Sequence, residues 1–196
     1  MGTLDGPAGF GNTPATASLL RTTHDVVQPR GVVMSDFHDG TLIRALDGPE
    51  ADQWRNACAE MMSTTEPWIT LRTTLATARE KMVAPGQEAW IALKDGEVAG
   101  FILLMFTGVL RGYIRTICLA PRFRGRGLGT KLIAFAEERI FRDHPNVFIC
   151  VSSFNPDARR LYERLGYEYI GELKDFIVAG HSELIYRKTR GPMMPG

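Results

Sequence analysis

Residues Tyr113 to Lys131 read YIRTICLAPRFRGRGLGTK, and this stretch restricts the fold of the chain more than any other. An apolar, β-branched run from Ile114 to Leu119 stops at Pro121, passes through Arg124-Gly125-Arg126-Gly127-Leu128-Gly129, and opens into a long amphipathic pattern. That is a strand, a glycine-rich turn and a helix N-terminus. Glycine accepts φ > 0 and lets the main chain come close to a ligand, and the first turn of a helix offers unpaired N–H groups at its positive end. Together they suit an anion, best a pyrophosphate. The triphosphate loop GxxxxGK[ST] is excluded, because Gly125, Gly127 and Gly129 alternate and Lys131 follows Thr130. The dinucleotide fingerprint GxGxxG fails as well, since Gly129 arrives one residue early and no βαβ unit surrounds it.

A second stretch, Asn155-Pro156-Asp157-Ala158-Arg159-Arg160-Leu161-Tyr162-Glu163-Arg164-Leu165-Gly166-Tyr167, reads as a helix on its own terms. Asn155 is an N-cap, Pro156 sits at N1, Ala158, Leu161, Tyr162 and Leu165 share a face, and Gly166 closes the helix. With these residues in view, Arg124-x-x-Gly127-x-Gly129 after a strand ending in proline resembles motif A of the GNAT superfamily, the acyl-CoA-dependent N-acetyltransferases. The second stretch resembles the NxxAxxLYxxxGF segment that follows the fifth strand there. The resemblance covers residues 41–188. It implies an α+β three-layer fold with a central mixed, mostly antiparallel twisted sheet of about six to seven strands, flanked by about four helices.

The resemblance also implies acetyl-CoA as cofactor and a division of roles. Main-chain groups across Ile117-Cys118-Leu119 would align the pantetheine arm like an added strand, with the Leu119 N–H near the thioester oxygen. Amides of Arg124, Gly125, Arg126, Gly127, Leu128, Gly129 and Thr130 would hold the pyrophosphate. Asn155 would bond the pantetheine arm, a role compatible with capping its helix. Tyr162 would act as general acid: a thiol has a pKa of about 8.5 and a phenol about 10, so a nearby tyrosine delivers a proton at modest cost. On spacing alone, Tyr162 reads equally as a core residue, since it shares a face with Ala158 and Leu165.

A general base is harder to find. Relatives that acetylate protein N-termini tend to carry a glutamate where Cys150 stands, and Ser152 occupies the place of a frequent basic residue. His181, Glu172 and Glu183 read either as proton relays through water or as surface residues. An α-amine of pKa about 8 needs less help than a lysine of about 10.4, which favours a low-pKa acceptor. Two acceptor classes compete. Asp175-Phe176 and Gly180-His181-Ser182-Glu183 resemble the late loop of ribosomal-protein N-terminal acetyltransferases. Loss of the glutamate at Cys150, with Arg111 and Arg115, points instead to a small amine, with or without a carboxylate of its own. A lysine acetyltransferase and a non-catalytic acyl-CoA-binding module are the remaining readings.

Composition narrows the setting. A chain of 196 residues, 44% hydrophobic, buries one proper core. Its net charge is only +1, but Arg111, Arg115, Arg122, Arg124, Arg126 and Lys131 crowd the sequence around the glycine loop. That suits a compact polyanion and not a long nucleic acid, which calls for an extended basic stripe. Three scattered cysteines, Cys58, Cys118 and Cys150, make neither a disulfide framework nor a zinc site, so no metal is expected. With no apolar run of membrane-spanning length and no signal-like start, a cytoplasmic protein is expected, with homodimerisation through the C-terminal strands as one option.

Three regions are expected along the chain: a flexible leader over 1–40, in which Val26, Val27, Val32 and Val33 either form an extra strand or lie across the core; an acetyltransferase domain over 41–190; and a disordered tail over 191–196. Within the domain, the pattern predicts a strand at Thr41–Leu46, a helix opening at Pro49, and a second helix over Thr70–Met82. In the resembling family these two helices line the acceptor cleft, so the resemblance makes Trp54, Trp68 and Leu71 acceptor contacts, whereas packing alone makes them core residues. A hairpin follows, turning at Lys94-Asp95-Gly96-Glu97. Next come the strand 112–119, whose apolar residues Ile114, Ile117 and Leu119 do not keep one parity, the long helix, a strand at Val147–Val151, and a closing pair at Tyr167–Leu173 and Ser182–Arg187.

Overall fold

The computed structural model describes residues 35–36 and 39–194. The expected strand around Val26 to Val33 lies outside them. Thirteen elements follow in order: β1 (Ser35–Asp36), β2 (Thr41–Ala45), α1 (Ala51–Ser63), α2 (Leu75–Met82), β3 (Gln87–Lys94), β4 (Glu97–Met105), β5 (Tyr113–Leu119), a 3-10 turn (Pro121–Phe123), α3 (Leu128–Phe141), β6 (Asn146–Ser152), α4 (Pro156–Arg164), β7 (Glu168–Leu173) and β8 (Glu183–Thr189). They form one sheet in the order β1-β2-β3-β4-β5-β6-β8-β7, antiparallel throughout except between β5 and β6. The seven longer strands are the expected sheet, and the two-residue β1 extends its edge.

The helices make two outer layers because each carries a single apolar stripe. Trp54, Cys58 and Met62 of α1 and Met82 of α2 pack on Ile91, Phe101 and Cys118. On the opposite face, Leu132, Phe135 and Ile140 of α3 pack on Trp90, Ile102 and Ile149. The hairpin turns as its residues dictate: Asp95 and Gly96 both take positive φ, 53° and 79°, the geometry of a type I′ turn. The second helix is shorter than expected. Arg72 takes φ 54° and Thr74 accepts a hydrogen bond from the Thr77 N–H at 3.2 Å, so the helix starts after Thr74 and not at Thr70. A hydroxyl that satisfies an orphan N–H ends the pattern that periodicity alone extends.

The parity of β5 is resolved by a bulge. Leu103 faces Thr116 and Leu104 faces Ile114, which leaves Arg115 as the extra residue. The bulge reverses the alternation, so Ile114, Ile117 and Leu119 all join the cluster under α3 and α4, while Thr116 and Cys118 face the other way. A bulge also bends its strand and raises the local twist. Here β5 pairs with β6 only at Tyr113–Phe148 and Ile114–Ile149, and the two strands part from Arg115 onward.

Candidate active site

The parting of β5 from β6 opens a cleft of about 680 Å³. Its β5 wall is an unpaired strand edge. Because the Ala120 N–H bonds Ala99 O at 3.0 Å, even-numbered main-chain groups at this end of β5 point to β4 and those of Ile117 and Leu119 point into the cleft. Cys118 lines the same wall but turns its thiol to the other face, 3.6 Å from Thr65 Oγ1.

The glycine loop closes one end. Gly125 and Gly127 take φ 70° and 80°, and the space over both is open. Gly127 caps α3 without a side-chain acceptor, and the first main-chain bond of the helix is Lys131 N–H to Gly127 O at 3.1 Å. The amides of Leu128, Gly129 and Thr130 thus lie at the positive helix end. Gly129 sits where a Cβ would touch Leu119 and Leu161, which holds α3 close to β5. Arg124 lines the cleft with its side chain turned back, its Nε donating to Leu119 O at 3.1 Å and an Nη to Glu66 O at 3.2 Å. Arg126 and Thr130 are exposed.

The basic cluster expected from sequence is dispersed in space. Arg122 pairs with Glu97, Lys131 pairs with Asp39 at 2.6 Å, Arg111 is exposed in the loop before β5, and Arg115 bonds Gln87 across the sheet. A strand and a helix carry neighbouring residues to different faces, so closeness in sequence did not become closeness in space.

On the opposite wall, α4 begins as its sequence dictates. Asn155 Oδ1 accepts from the Ala158 N–H at 3.3 Å, and Pro156 takes the first helical position. Tyr162 is only 4% exposed and still lines the cleft. Burial, with Cys150 and Glu183 nearby, pushes its phenol well above the usual tyrosine range.

The far face of the cleft gathers residues whose role the sequence left open. Trp68 and Leu71 line it, whereas Trp54 packs in the core under α1 with Arg44 stacked 4.4 Å from its ring. Tyr113 and Cys150 stand side by side, and burial raises both their pKa values. Glu183 is the residue that sequence reasoning undervalued. It is 6% exposed, lines the cleft, and accepts a hydrogen bond from Ser152 Oγ at 2.6 Å. Burial raises its carboxyl above the usual range, opposed by the Ser152 bond. The signal that exposes it is register: β8 pairs Glu183 with Ser152, which only the folded sheet reveals. Glu172 is exposed, and His181 stacks edge-on against Phe154 at 4.8 Å.

A parallel pair that parts beside a bulge, a glycine-capped helix at the mouth and an open strand edge agree with the family-level match, which is to the Acetyltransferase (GNAT) family over residues 50–167. The chain belongs to this family. Among relatives of this GNAT chain, an acetyltransferase of Agrobacterium fabrum is 38% identical over 61 residues, 31% of this chain and 44% of that protein. The chain spans less than half the length of the curated relatives it matches. A GNAT-family structure from Desulfovibrio desulfuricans superimposes with a TM-score of 0.62 at 24% identity, covering 76% of this chain and 98% of that one. An aminoglycoside 6'-N-acetyltransferase complexed with coenzyme A gives 0.58 at 17% identity, over 84% and 100% of the two chains. These superpositions show the GNAT fold. Among the described residues, no helix is long and apolar enough to cross a membrane.

Proposed function

We propose that this GNAT protein transfers an acetyl group from acetyl-CoA to a primary amine of a small molecule or peptide, directly and in a ternary complex. The observation that carries the reading is the unpaired edge of β5, where main-chain groups of Ile117 and Leu119 face a cleft that ends at a glycine-capped helix. An open edge takes an extended amide-bearing arm as it takes a strand. A pantetheine arm has that form, and a pyrophosphate suits the helix end. The donor's chemistry fits the residues present.

Bound acetyl-CoA supplies a thioester, in which a C–N bond to the amine replaces the C–S bond while the amine gives up a proton and the sulfur gains one. Leu119 directs its N–H into the cleft, where it stabilises charge on the thioester oxygen. The amides of Arg124, Gly125, Arg126, Gly127, Leu128, Gly129 and Thr130 hold the pyrophosphate. Asn155 caps α4 through Oδ1, which frees its amide N–H groups for the arm. Tyr162 donates to the departing sulfur. The phenol is protonated at neutral pH, as an acid requires, and burial raises its pKa further, which weakens it as a donor.

Calorimetry with acetyl-CoA, beside thiol release on a panel of small amines, N-terminal peptides and lysine peptides, tests the reading. Binding with turnover is the expected result. Binding with no turnover on any acceptor would leave a non-catalytic acyl-CoA-binding module, and no binding would remove the reading altogether.

A further inference from the structure

Arg115 and Glu183 are opposite charges that line one face of the same cleft without pairing with each other. Both act electrostatically on Tyr113, which stands between them in influence, Glu183 raising and Arg115 lowering its pKa. Each is held by a neutral partner: the Arg115 guanidinium donates to Gln87 Oε1 at 3.0 Å, and the Glu183 carboxylate accepts from Ser152 at 2.6 Å. Lys81 adds positive charge near Arg115 and rests 5.4 Å from the Trp68 ring. No ion pair to Arg115, Lys81 or Glu183 is formed among the described residues. The β5 bulge is what aims Arg115 here, since the extra residue lies on the same face as Thr116.

A buried carboxylate and a partly buried guanidinium kept apart in one cleft are costly unless a ligand completes them, and a ligand with both signs completes both. From this geometry we infer that the acceptor carries a carboxylate as well as the reacting amine, as a free amino acid does, with Arg115 holding the carboxylate and Glu183 receiving the amine. The inference rests on the acetyl-transfer reading above. Glu183 takes the proton that the ammonium must lose before nitrogen attacks, and passes it to solvent. Arg115 makes the specific contact, because its planar fork matches a carboxylate with two parallel hydrogen bonds. Gln87 fixes that fork from behind. Polyamines have no group for Arg115, and the N-terminus of a peptide carries an amide where the carboxylate would be.

The test uses matched acceptors, an amino acid, its carboxamide and its decarboxylated amine, in the thiol-release assay with the full chain. The expected result is a kcat/KM about tenfold or more higher for the amino acid than for the carboxamide, as a charge-assisted contact implies. Arg115→Gln should bring that ratio toward one, Arg115→Lys should keep part of it, and Glu183→Gln should lower kcat/KM for the amino acid by about tenfold or more. A ratio near one in the wild-type protein, or one that survives Arg115→Gln, overturns the inference. Acetyl-CoA binding with turnover confined to carboxylate-free amines or peptides overturns it alone, whereas absence of acetyl-CoA binding removes it together with the reading beneath it.

Discussion

Tyr162 and Glu183 share one cleft, and burial shifts both upward, which makes the phenol a weaker proton donor and the carboxyl harder to ionise. For Tyr162, burial keeps the phenol protonated but weakens it as an acid toward the departing thiolate, so its proposed proton transfer costs more than from an ordinary tyrosine. Tyr162→Phe should lower kcat by about ten- to a thousandfold with little change in acetyl-CoA affinity, read by steady-state kinetics beside calorimetry. The alkaline limb due to this phenol should also fall above about pH 10, the ordinary tyrosine value. For Glu183, burial is a cost. A carboxyl whose pKa is raised on folding binds protons more tightly in the native state, so its contribution to stability falls as pH rises through the ordinary carboxylate range and stays low above the folded pKa. Glu183→Gln keeps the Ser152 partner and removes the charge. The variant should therefore be more stable than the wild type in urea melts at pH 7, with the gap closing below about pH 4.3. An equal gap at both pH values would show that the carboxylate is not under strain from burial.

Among the elements, α4 combines two functions at one residue. Asn155 Oδ1 caps the helix, and the proposed arm contact uses its amide N–H groups. Aspartate caps about as well as asparagine but has no N–H to offer. Asn155→Asp should thus hold the melting temperature near that of the wild type while acetyl-CoA affinity falls several-fold, and Asn155→Ala should lose about 0.5–2 kcal/mol of stability as well. Matching affinities in the wild type and Asn155→Asp would reduce Asn155 to a cap. The bulge in β5 is the second decisive element. One extra residue, Arg115, gathers Ile114, Ile117 and Leu119 under α3, while Arg115 itself lines the cleft and bonds Gln87. The broken parity of the strand was legible in the sequence. Which residue was the extra one was not, because that depends on the pairing with β4.

In the whole molecule, the cleft exists because β6 commits its full length to β8 and only two residues to β5. The pairing lost between β5 and β6 leaves main-chain groups facing a cavity; Arg124 Nε already donates to the Leu119 carbonyl, and the donor proposed here satisfies the Ile117 and Leu119 N–H groups. Hydrogen exchange followed by NMR should show fast exchange at the Ile117 and Leu119 amides in the free protein, and strong protection with acetyl-CoA, while the Cys118 amide on the β4 side is protected in both. Protection of Ile117 and Leu119 without the donor would mean that the edge is not open.

By itself the sequence determined the local grammar: the Asp95-Gly96 turn, the Asn155-Pro156 helix start, the alternation of Gly125, Gly127 and Gly129, and the apolar stripes along the helices. These are read from φ requirements, capping chemistry and periodicity, which act over a few residues. The tertiary structure alone decided which charged residues meet. Six basic residues adjacent in sequence were dispersed, while Arg115 and Glu183, from strands that do not touch each other, reached one cleft. The reason is that register and strand order set the distance between residues far apart in the chain, and both are fixed by pairing and packing of the whole sheet.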